Sequence, residues 1–210
     1  MIKFINECSS TQTELIFLLK QEIIKPPYAL VANSQTKGIG SRQNYWQSSP
    51  GNLYFSFCID ENSIPKDILP QSLSIYFAYL MKLFLETKGS SLWLKWPNDF
   101  YVKNKKIGGV ITTKIKDFYV CGMGINLISA PPKAGILDIE ISPKDLVEGF
   151  VLSLEKQIPW KQIFSKFLVE FEKSRNFHSH IENDKISLKD SVLCDDGSIM
   201  INNKKVYSLR

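Results

Sequence analysis

One lysine of the segment "KWPNDFYVKNKKIGGV" stands directly before an Ile-Gly-Gly sequence, and this position separates it from its neighbours. This residue is Lys106, and Gly108 and Gly109 follow it inside a predicted strand. Glycines inside a strand weaken it and usually mark a bulge or a close approach of the backbone to another group. A lysine ammonium in such a place suits an anion such as a carboxylate or a phosphate. We therefore predict that Lys106 contacts a ligand, whereas Lys103 and Lys105 form a solvated hairpin tip.

The residues before this hairpin form a second candidate element, the sequence "KWPND". Pro97 fixes a turn after a strand that ends near Trp96. Asn98 and Asp99 can cap this turn with their side chains, or they can face a ligand. Lys95 begins the turn and either faces the ligand or supports the turn. The sequence alone does not choose between these alternatives.

A long polar loop contains a third candidate, the sequence "QTKGIGSRQNYW". Gly38 and Gly40 let the backbone approach a ligand and present bare N–H groups. Lys37 and Arg42 carry positive charge that suits an anion, and Trp46 offers a face for stacking on a flat ring. The pattern is neither the GxGxxG nor the GxxxxGK[ST] phosphate-binding motif. A flexible surface loop with incidental glycines is therefore an equally good interpretation.

The sequence "CGMGINL" interrupts an apolar strand with Gly122 and Gly124 and ends it with Asn126. Taken alone, this pattern is more typical of a bulged core strand than of a binding site.

The sequence "SSTQ" precedes the first predicted helix, where Thr11 and Glu14 have the spacing of a capping box. A helix N-terminus also attracts carboxylates and phosphates, so capping and ligand binding are compatible here.

These candidates fall on the strands and loops of a predicted α+β fold. Helical spacing of leucines predicts a first helix, which Pro26 and Pro27 end. A long apolar helix is predicted over residues 70–89, and an antiparallel meander follows it. Two amphipathic helices come next, the first with Ser142 as N-cap and Pro143 at the first helical position. We therefore predict a mixed or antiparallel central sheet that is flanked by helices.

The last segment consists of short predicted strands with turn signals at "CDDG" and "NNKK". This pattern predicts a small C-terminal β domain over residues 181–210, after a catalytic domain over residues 1–180. His178 and His180 are predicted to be exposed linker residues between the two.

The composition argues against several function classes. The 210-residue chain carries a net charge of +5, which suits an anionic substrate or an acidic partner better than a nucleic acid. It contains neither an HExxH zinc motif nor a GxSxG nucleophile motif, so its chemistry is predicted to work without histidine. The four cysteines show no CxxC spacing, and no secretory signal or membrane span is evident. We therefore expect a protein of the cytoplasm.

Taken together and in this order, the stretches resemble the biotin–protein ligases. Members of that family carry an S-T-N/Q segment, a Q-T-x-G-R-G-R-x-G-R-x-W loop, and then K-W-P-N-D, K-[IL]-[AG]-G-[IV] and G-[IVA]-G-[IL]-N. This chain has "SSTQ", "QTKGIGSRQNYW", "KWPND", "KIGGV" and "GMGIN". The resemblance covers residues 9–127. It implies a catalytic fold like that of the class II synthetases, followed by an SH3-like C-terminal domain.

The resemblance implies a two-step reaction that uses ATP and Mg²⁺. The carboxylate of biotin attacks the α-phosphate of ATP, and pyrophosphate leaves. A lysine amine of the biotin carboxyl carrier protein of acetyl-CoA carboxylase then attacks the biotinyl-5′-adenylate, and AMP leaves. Both reactants of the first step are anions, so charge neutralisation and positioning are expected to dominate the catalysis.

The site residues implied by the resemblance form three overlapping sets. The catalytic set is Lys106, Arg42 and Asp99, with Asp99 either receiving the acceptor's proton or assisting Mg²⁺. The biotin-binding set is Ser10, Thr11, Gln35, Gly38, Lys106, Gly108 and Gly109. The set that binds ATP and the adenylate is Lys37, Gly40, Arg42, Trp46, Lys95, Asn98, Lys106, Gly122 and Asn126.

The glycine-containing loop departs from the family pattern. Ile39 and Asn44 replace its two outer arginines, and Gln43 replaces a glycine. Ser41 stands where the arginine that grips the adenylate is expected, and Arg42 lies one position later. Either Arg42 performs that role from a shifted position, or the loop holds the adenylate less firmly.

Two alternatives to a biotin–protein ligase stay open. A lipoate–protein ligase shares the fold and the adenylate chemistry but not "KWPND". A non-catalytic biotin-binding module would explain the altered loop. No helix-turn-helix fits before Ser9, so DNA is not an expected partner. The edge strands of the meander could pair between two subunits, as a homodimer, or with the carrier protein.

Overall fold

The central feature of the protein is a seven-stranded mixed sheet. The computed structural model describes residues 1–41, 44–181 and 184–207. The strands are β1 (Ile2–Cys8), β2 (Tyr28–Gln35), β3 (Leu53–Asp60), β4 (Trp93–Lys95), β5 (Asp99–Val102), β6 (Lys105–Ile115) and β7 (Phe118–Ile125). Their order in the sheet is β1-β2-β3-β7-β6-β5-β4. β1 and β2 pair in parallel, and every other neighbouring pair in this order is antiparallel. The antiparallel run from β4 to β7 confirms the predicted meander. The sequence pattern did not indicate β1, whose residues are mostly exposed at the sheet edge.

Helices cover both faces of this sheet. They are α1 (Thr11–Lys20), α2 (Leu73–Thr87), α3 (Pro143–Glu155) and α4 (Trp160–Phe171). Leu15 and Leu19 of α1 belong to a small apolar cluster, while α2, α3 and α4 contribute to a large one. Successive strand residues point to opposite faces, so Leu30 of β2 joins the small cluster and Val31 joins the large one. No helix in the described ranges has the length and apolar character needed to cross a membrane.

The predicted helix positions are confirmed at α2 and α3. α2 lies within the predicted range 70–89. Ser142 is the N-cap of α3, and its Oγ accepts a hydrogen bond from the backbone N–H of Asp145 at 3.1 Å. Pro143 occupies the first helical position, where the missing N–H removes no intrahelical bond.

The predicted capping box at the start of α1 is wrong. Ser10 is the N-cap, with φ −160° and ψ 131°, and its Oγ accepts from Thr13 N at 3.5 Å. Thr11 is the first helical residue, and its hydroxyl bonds to buried partners on β2 and β3 instead of capping with Glu14. Tertiary hydrogen bonds therefore outweigh the local motif at this position.

Short strands follow α4 and confirm the small C-terminal β elements. They are β8 (His178–Ile181), β9 (Asp184–Ser187), β10 (Val192–Leu193), β11 (Ile199–Ile201) and β12 (Lys204–Val206). β8 and β9 form a hairpin, and β10, β11 and β12 form a three-stranded sheet. His178 and His180 are exposed as predicted, but they lie in β8 and not in a linker. Leu193 and Ile199 share the large apolar cluster with α2 to α4, and the division into two domains at residue 181 stays a prediction.

The four cysteines are free thiols. Cys58 on β3 and Cys121 on β7 are buried. Burial raises the pKa of Cys58 to about 11 and the pKa of Cys121 well above its ordinary value. Neither side chain is therefore a reactive thiolate near neutral pH.

The packing of α3 on the sheet gives a first prediction. Phe150 is fully buried, with its ring 5.6 Å from that of Phe55 and 5.2 Å from that of Phe57. Phe150→Ala leaves a cavity there, so we expect it to lower the free energy of unfolding by about 3–5 kcal/mol. Phe17→Ala removes a side chain from a residue that is 54% exposed and should change it by less than about 0.5 kcal/mol. Urea denaturation measures both, and equal losses would contradict this packing.

Candidate active site

A cavity of about 390 Å³ lies between the start of α1, the loop that joins β2 to β3, and the strands β6 and β7. The predicted site residues in its wall are Ser10, Thr11, Gln35, Gly40, Trp46, Asn98, Asp99, Lys106, Gly109, Gly122 and Asn126. Four other predicted residues lie outside the wall, namely Lys37, Gly38, Lys95 and Gly108. Arg42, which was predicted to bind the adenylate, lies outside the described residues.

One end of the cavity is lined by buried hydrogen-bonding groups. The Thr11 backbone N–H donates to Gln35 Oε1 at 2.8 Å, and the Thr11 hydroxyl lies 3.2 Å from the same oxygen. The hydroxyls of Thr11 and Ser56 share a hydrogen bond of 2.9 Å. Gln35 Nε2 donates to Ser48 Oγ at 3.0 Å. These contacts orient the polar groups, and they suit a ligand that offers its own donors and acceptors.

Gln12 adds an unpaired acceptor to this polar end. The residue is 3% exposed, and its Nε2 donates to Val120 O at 3.3 Å. Its Oε1 is buried without a hydrogen-bond partner among the described residues. A Cβ at Gly122 would lie 2.7 Å from this oxygen, so the glycine makes room for it. A buried acceptor without a hydrogen-bond donor is unfavourable, and a ligand N–H could donate the hydrogen bond that this oxygen lacks.

Gln12 and Ser56 were not among the predicted site residues. A serine inside the otherwise apolar strand "LYFSFCI" was an available signal for Ser56. Gln12 is the last residue of "SSTQ", so the S-T-N/Q segment of the family pattern was an available signal for it. Its burial follows from the packing of α1 on β3 and β7.

Lys106 and Lys95 share the carboxylate of Asp99. Lys106 Nζ is 2.6 Å from Asp99 Oδ1, and Lys95 Nζ is 3.6 Å from Asp99 Oδ2. The side chain of Lys95 is 7% exposed and that of Lys106 is 39% exposed. Lys106 can therefore exchange Asp99 for an anionic ligand, while Lys95 keeps the carboxylate paired and supports the turn. Lys103 and Lys105 are exposed, which confirms the predicted hairpin tip.

A register shift in the β5–β6 hairpin brings Lys106 to this position. Tyr101 pairs with Lys106 and Phe100 pairs with Gly108, so Ile107 is an extra residue on β6. The irregularity predicted near the glycines is confirmed. Such a bulge bends the strand and redirects its side chains.

The two adjacent glycines of β6 have different surroundings. A Cβ at Gly109 would lie 3.5 Å from Asp99 Oδ1 and 3.8 Å from Lys106 Nζ, so this glycine borders the ion pair. A Cβ at Gly108 would lie 2.5 Å from Gly124 O. Gly108 therefore permits close packing of β6 on β7, and its predicted contact with biotin stays a prediction.

The turn before β5 is held by the next strand. The Trp96–Pro97 peptide bond is cis. Asn98 Nδ2 donates to Val110 O at 2.5 Å, and Val110 N donates to Asn98 O at 2.9 Å. Asn98 therefore has a structural role in addition to its place in the cavity wall.

The loop between β2 and β3 forms a narrow hairpin against the cavity. Ile39 and Tyr45 form an isolated antiparallel bridge, and Trp46 N donates to Gly38 O at 2.8 Å. A Cβ at Gly38 would lie 2.5 Å from Trp46 O, so this glycine is needed for the loop to close on itself. The Trp46 indole packs over Gly124, where a Cβ would lie 2.7 Å from the ring.

Trp46 brings the loop close to Lys106. Its Nε1 is buried without a hydrogen-bond partner among the described residues. Lys106 Nζ lies 5.9 Å from the centre of its ring, within the range of a cation–π contact. Lys37 is outside the cavity wall, with an exposed side chain and a backbone N–H that donates to Ser9 O at 2.8 Å.

The segment after β7 forms the opposite edge of the cavity. Asn126 Nδ2 donates to Gly135 O at 3.0 Å, and Gly135 N donates to Lys106 O at 2.9 Å. Pro131 and Ala134 of this segment also line the cavity, and no sequence signal indicated either residue.

Asp138 anchors the end of the same segment to the start of β4. It accepts hydrogen bonds from the hydroxyls of Ser90 and Ser91 and from the backbone N–H of Ser91. Burial alone would raise the pKa of Asp138, but these hydrogen bonds outweigh it and hold the pKa below its ordinary value. The anchor is therefore a charged carboxylate at neutral pH.

Asp99 is the carboxylate that the described cavity wall offers to a metal ion. Within the described ranges there is no group of three or more histidine, cysteine or acidic side chains that could hold a metal. Mg²⁺ is usually bound by one or two carboxylates together with substrate phosphates and water. The residues therefore fit a metal ion that arrives with a nucleotide.

Comparisons with known sequences agree with this geometry. A sequence model of the biotin/lipoate A/B protein ligase family matches residues 4–126. Biotin–protein ligase 2 of Arabidopsis thaliana is 32% identical over 110 residues, which cover 49% of this chain and 33% of the relative. The bifunctional ligase/repressor BirA of Bacillus subtilis is 26% identical over 157 residues, which cover 72% of this chain and 47% of the relative. The chain thus spans between a third and a half of the length of these curated relatives.

Two solved structures are also similar. Biotin acetyl coenzyme A carboxylase synthetase from Helicobacter pylori, with bound biotinylated ATP, is 38% identical with a TM-score of 0.94, and the match covers 98% of both chains. Biotin protein ligase from Aquifex aeolicus, in complex with biotin and ATP, is 24% identical with a TM-score of 0.77 over 100% of this chain and 95% of that chain. The second likeness supports the fold alone.

Gly124 and Gly109 are register partners on β7 and β6 and give a matched pair of variants. Gly124→Ala would place a Cβ 2.7 Å from the Trp46 ring, whereas the nearest contact for Gly109→Ala is 3.4 Å. We expect the first variant to displace the indole and expose Trp46, and the second to leave it in place. Acrylamide quenching of tryptophan fluorescence, corrected with Trp46→Phe, measures this exposure. Equal quenching in the two variants would contradict the docking of Trp46 on β7.

Proposed function

Because this chain belongs to the biotin/lipoate A/B protein ligase family, we propose that it is a biotin–protein ligase. In the proposed reaction the carboxylate of biotin displaces pyrophosphate from the α-phosphate of ATP. A lysine of a carrier protein then takes the biotinyl group, and AMP leaves. The structural relative from Helicobacter pylori was determined with bound biotinylated ATP, and this supports the proposal.

The observation that carries the choice of biotin is the buried polar end of the cavity. The ureido ring of biotin has one C=O acceptor and two N–H donors. Gln12 Oε1 is a buried acceptor without a partner among the described residues, and an N–H of the ring would complete it. The dithiolane ring of lipoate has no N–H, so it would leave this oxygen unpaired. A site built to hydrogen-bond a substrate discriminates strongly against an analogue that lacks the group.

Lys106 is proposed to stabilise the first step. Biotin with its ring at the polar end directs its carboxylate towards Lys106, which lines the same cavity. The ammonium moves from Asp99 to the carboxylate and the α-phosphate, and it neutralises the charge that opposes their approach. The new bond joins the carboxylate oxygen to phosphorus, and the bond to pyrophosphate breaks. Such placed charges are the largest contribution to many enzymatic rates.

The loop and the segment after β7 are proposed to hold the nucleotide. Trp46 and Asn126 line the same cavity as Lys106 and would contact the adenine. Gly40 in the cavity wall and Arg42 would close over the adenylate and exclude water from the mixed anhydride. Lys37 lies outside the wall, so it would take part by turning its exposed side chain towards the nucleotide. Arg42 lies outside the described residues, so its part follows from the sequence resemblance.

Asp99 is proposed to act once Lys106 has turned to the substrates. Its carboxylate would then take the proton of the acceptor amine or hold Mg²⁺ together with the phosphates of ATP. Mg²⁺ bound there would neutralise phosphate charge. We propose the biotin carboxyl carrier protein of acetyl-CoA carboxylase as the acceptor. The net charge of +5 suits an acidic carrier.

A biotinylation assay tests the proposed function. The chain is supplied with biotin, Mg-ATP and a biotin carboxyl carrier domain, and mass spectrometry should find one amide-linked biotin on one lysine. Lys106→Ala should lower the rate by at least about 100-fold, since it removes a charge that acts on the transition state. Lys103→Ala is the control, because that side chain is exposed at the hairpin tip. An unmodified carrier, or a fully active Lys106→Ala variant, would reject the proposal.

The role of Gln12 gives a separate prediction. Gln12→Met keeps the length of the side chain but removes the acceptor, so a ureido N–H is buried without a partner. We expect KM for biotin to rise about 10- to 100-fold, the effect of one unpaired buried group, while KM for ATP stays the same. Steady-state kinetics with each substrate varied in turn measure the split. A rise in KM for ATP instead would place Gln12 outside the biotin site.

A further inference from the structure

The turn between β10 and β11 accepts three hydrogen bonds from other parts of the chain through consecutive backbone carbonyls. The donors are Trp160 Nε1 to Asp195 O at 2.8 Å, Ser72 Oγ to Asp196 O at 2.7 Å, and Trp96 Nε1 to Gly197 O at 2.8 Å. We call residues 195–197 the carbonyl turn. Its donors come from the start of α4, from the residue before α2, and from the residue after β4.

The carbonyl turn is held firmly by its own contacts. The carboxylate of Asp196 accepts from the backbone and the hydroxyl of Ser198 and pairs with Lys205 Nζ at 2.9 Å. Burial alone would raise the pKa of Asp196, but these partners outweigh it and hold the pKa below its ordinary value. Gly197 has φ +75°, and a Cβ there would lie 2.8 Å from Ile75 Cδ1. The turn therefore presents its carbonyls as a preformed acceptor array.

Trp96 links this turn to the cavity. It is fully buried, its backbone N–H donates to Ser174 Oγ at 3.1 Å, and its indole N–H donates to Gly197 O. Both partners come from segments outside the seven-stranded sheet. Two residues after Trp96 the chain enters the cavity wall with Asn98 and Asp99.

We propose that the carbonyl turn positions Asn98 and Asp99 through Trp96, so that Trp96 is a positioning residue for the reaction at Lys106. The inference rests on the proposed function. Asp99 Oδ1 lies 2.6 Å from Lys106 Nζ. A displacement of the chain at Trp96 would move Asp99 and so change the position of the Lys106 ammonium that pairs with it. A misplacement of about 1 Å at reacting groups can lower a rate about 100-fold.

Trp160 provides a matched control. It donates the same type of hydrogen bond, at the same distance, to the same turn. It begins α4 and is not in the cavity wall. Trp96→Phe and Trp160→Phe should therefore lower the urea midpoint by similar amounts. A purely structural role for Trp96 predicts that the two variants also behave alike in every other measurement.

The test combines kinetics with chemical labelling. Trp96→Phe should lower kcat for biotin-dependent ATP–pyrophosphate exchange about 10- to 100-fold with little change in KM for biotin, and Trp160→Phe should leave kcat near that of the wild type. Acetic anhydride labelling, mapped by mass spectrometry, should modify Lys106 faster in Trp96→Phe, because its pairing with Asp99 is loosened. Labelling that is equal in both variants, or equal losses of kcat, would overturn the inference.

The labelling keeps this inference separate from the proposed function. A wild-type chain without biotin-dependent exchange would refute the ligase proposal, while the Lys106 labelling would still decide the role of Trp96. Ser174→Ala serves as a second variant if Trp96→Phe does not fold, since it removes the partner of the Trp96 backbone N–H. It should also raise Lys106 labelling, and unchanged labelling would count against the proposal.

Discussion

Two lysine ammoniums and one carboxylate lie together beside the cavity, and much of the local structure exists to keep them there. A partly buried carboxylate is costly unless it is paired, and Lys95, which is buried outside the cavity wall, pairs with Asp99. Lys106 pairs with the same carboxylate from within the cavity wall, because the extra residue Ile107 shifts the register of β6. A Cβ at Gly109 would lie at ordinary contact distance from the pair, so this glycine borders the pair without being needed for its space. The position of the Lys106 ammonium is thus set by a bulge, a shared carboxylate and a second, buried lysine.

The cavity separates two kinds of recognition. At the end near α1, neutral hydrogen-bonding groups such as Thr11, Gln35 and Ser56 are buried and mutually oriented. At the other end, Lys106 supplies charge and Trp46 supplies an aromatic face. Buried neutral polar groups discriminate between ligands, because a ligand that lacks the matching group leaves them without a hydrogen bond. Charge attracts any anion over longer distances and is less selective. Biotin has a neutral polar ring and an anionic tail, and the proposed orientation matches each part to one end.

Local sequence was sufficient for the parts of this arrangement that depend on near neighbours. The glycines after Lys106 distinguished it from Lys103 and Lys105, and the alternation of short apolar runs indicated the meander. Contacts between distant segments could not be predicted. Thr11 had the spacing of a capping residue, yet it bonds to Gln35 and Ser56, since a buried hydroxyl takes the partners that tertiary packing offers. Pro131 and Ala134 enter the cavity for the same reason, through packing that no local pattern encodes.

The buried thiol of Cys121 has a consequence for how this site could be observed. Cys121 lies in the middle of β7, opposite Phe57 on β3 and Thr112 on β6. A thiol-specific reagent reaches it when β7 separates from its surroundings, so its reaction rate measures the opening of the strand that carries Gly122 and Gly124. The loop above the cavity contains no cysteine. The reaction rate of the Cys121 thiol therefore measures the opening of the sheet at β7, and movement of the loop does not change it.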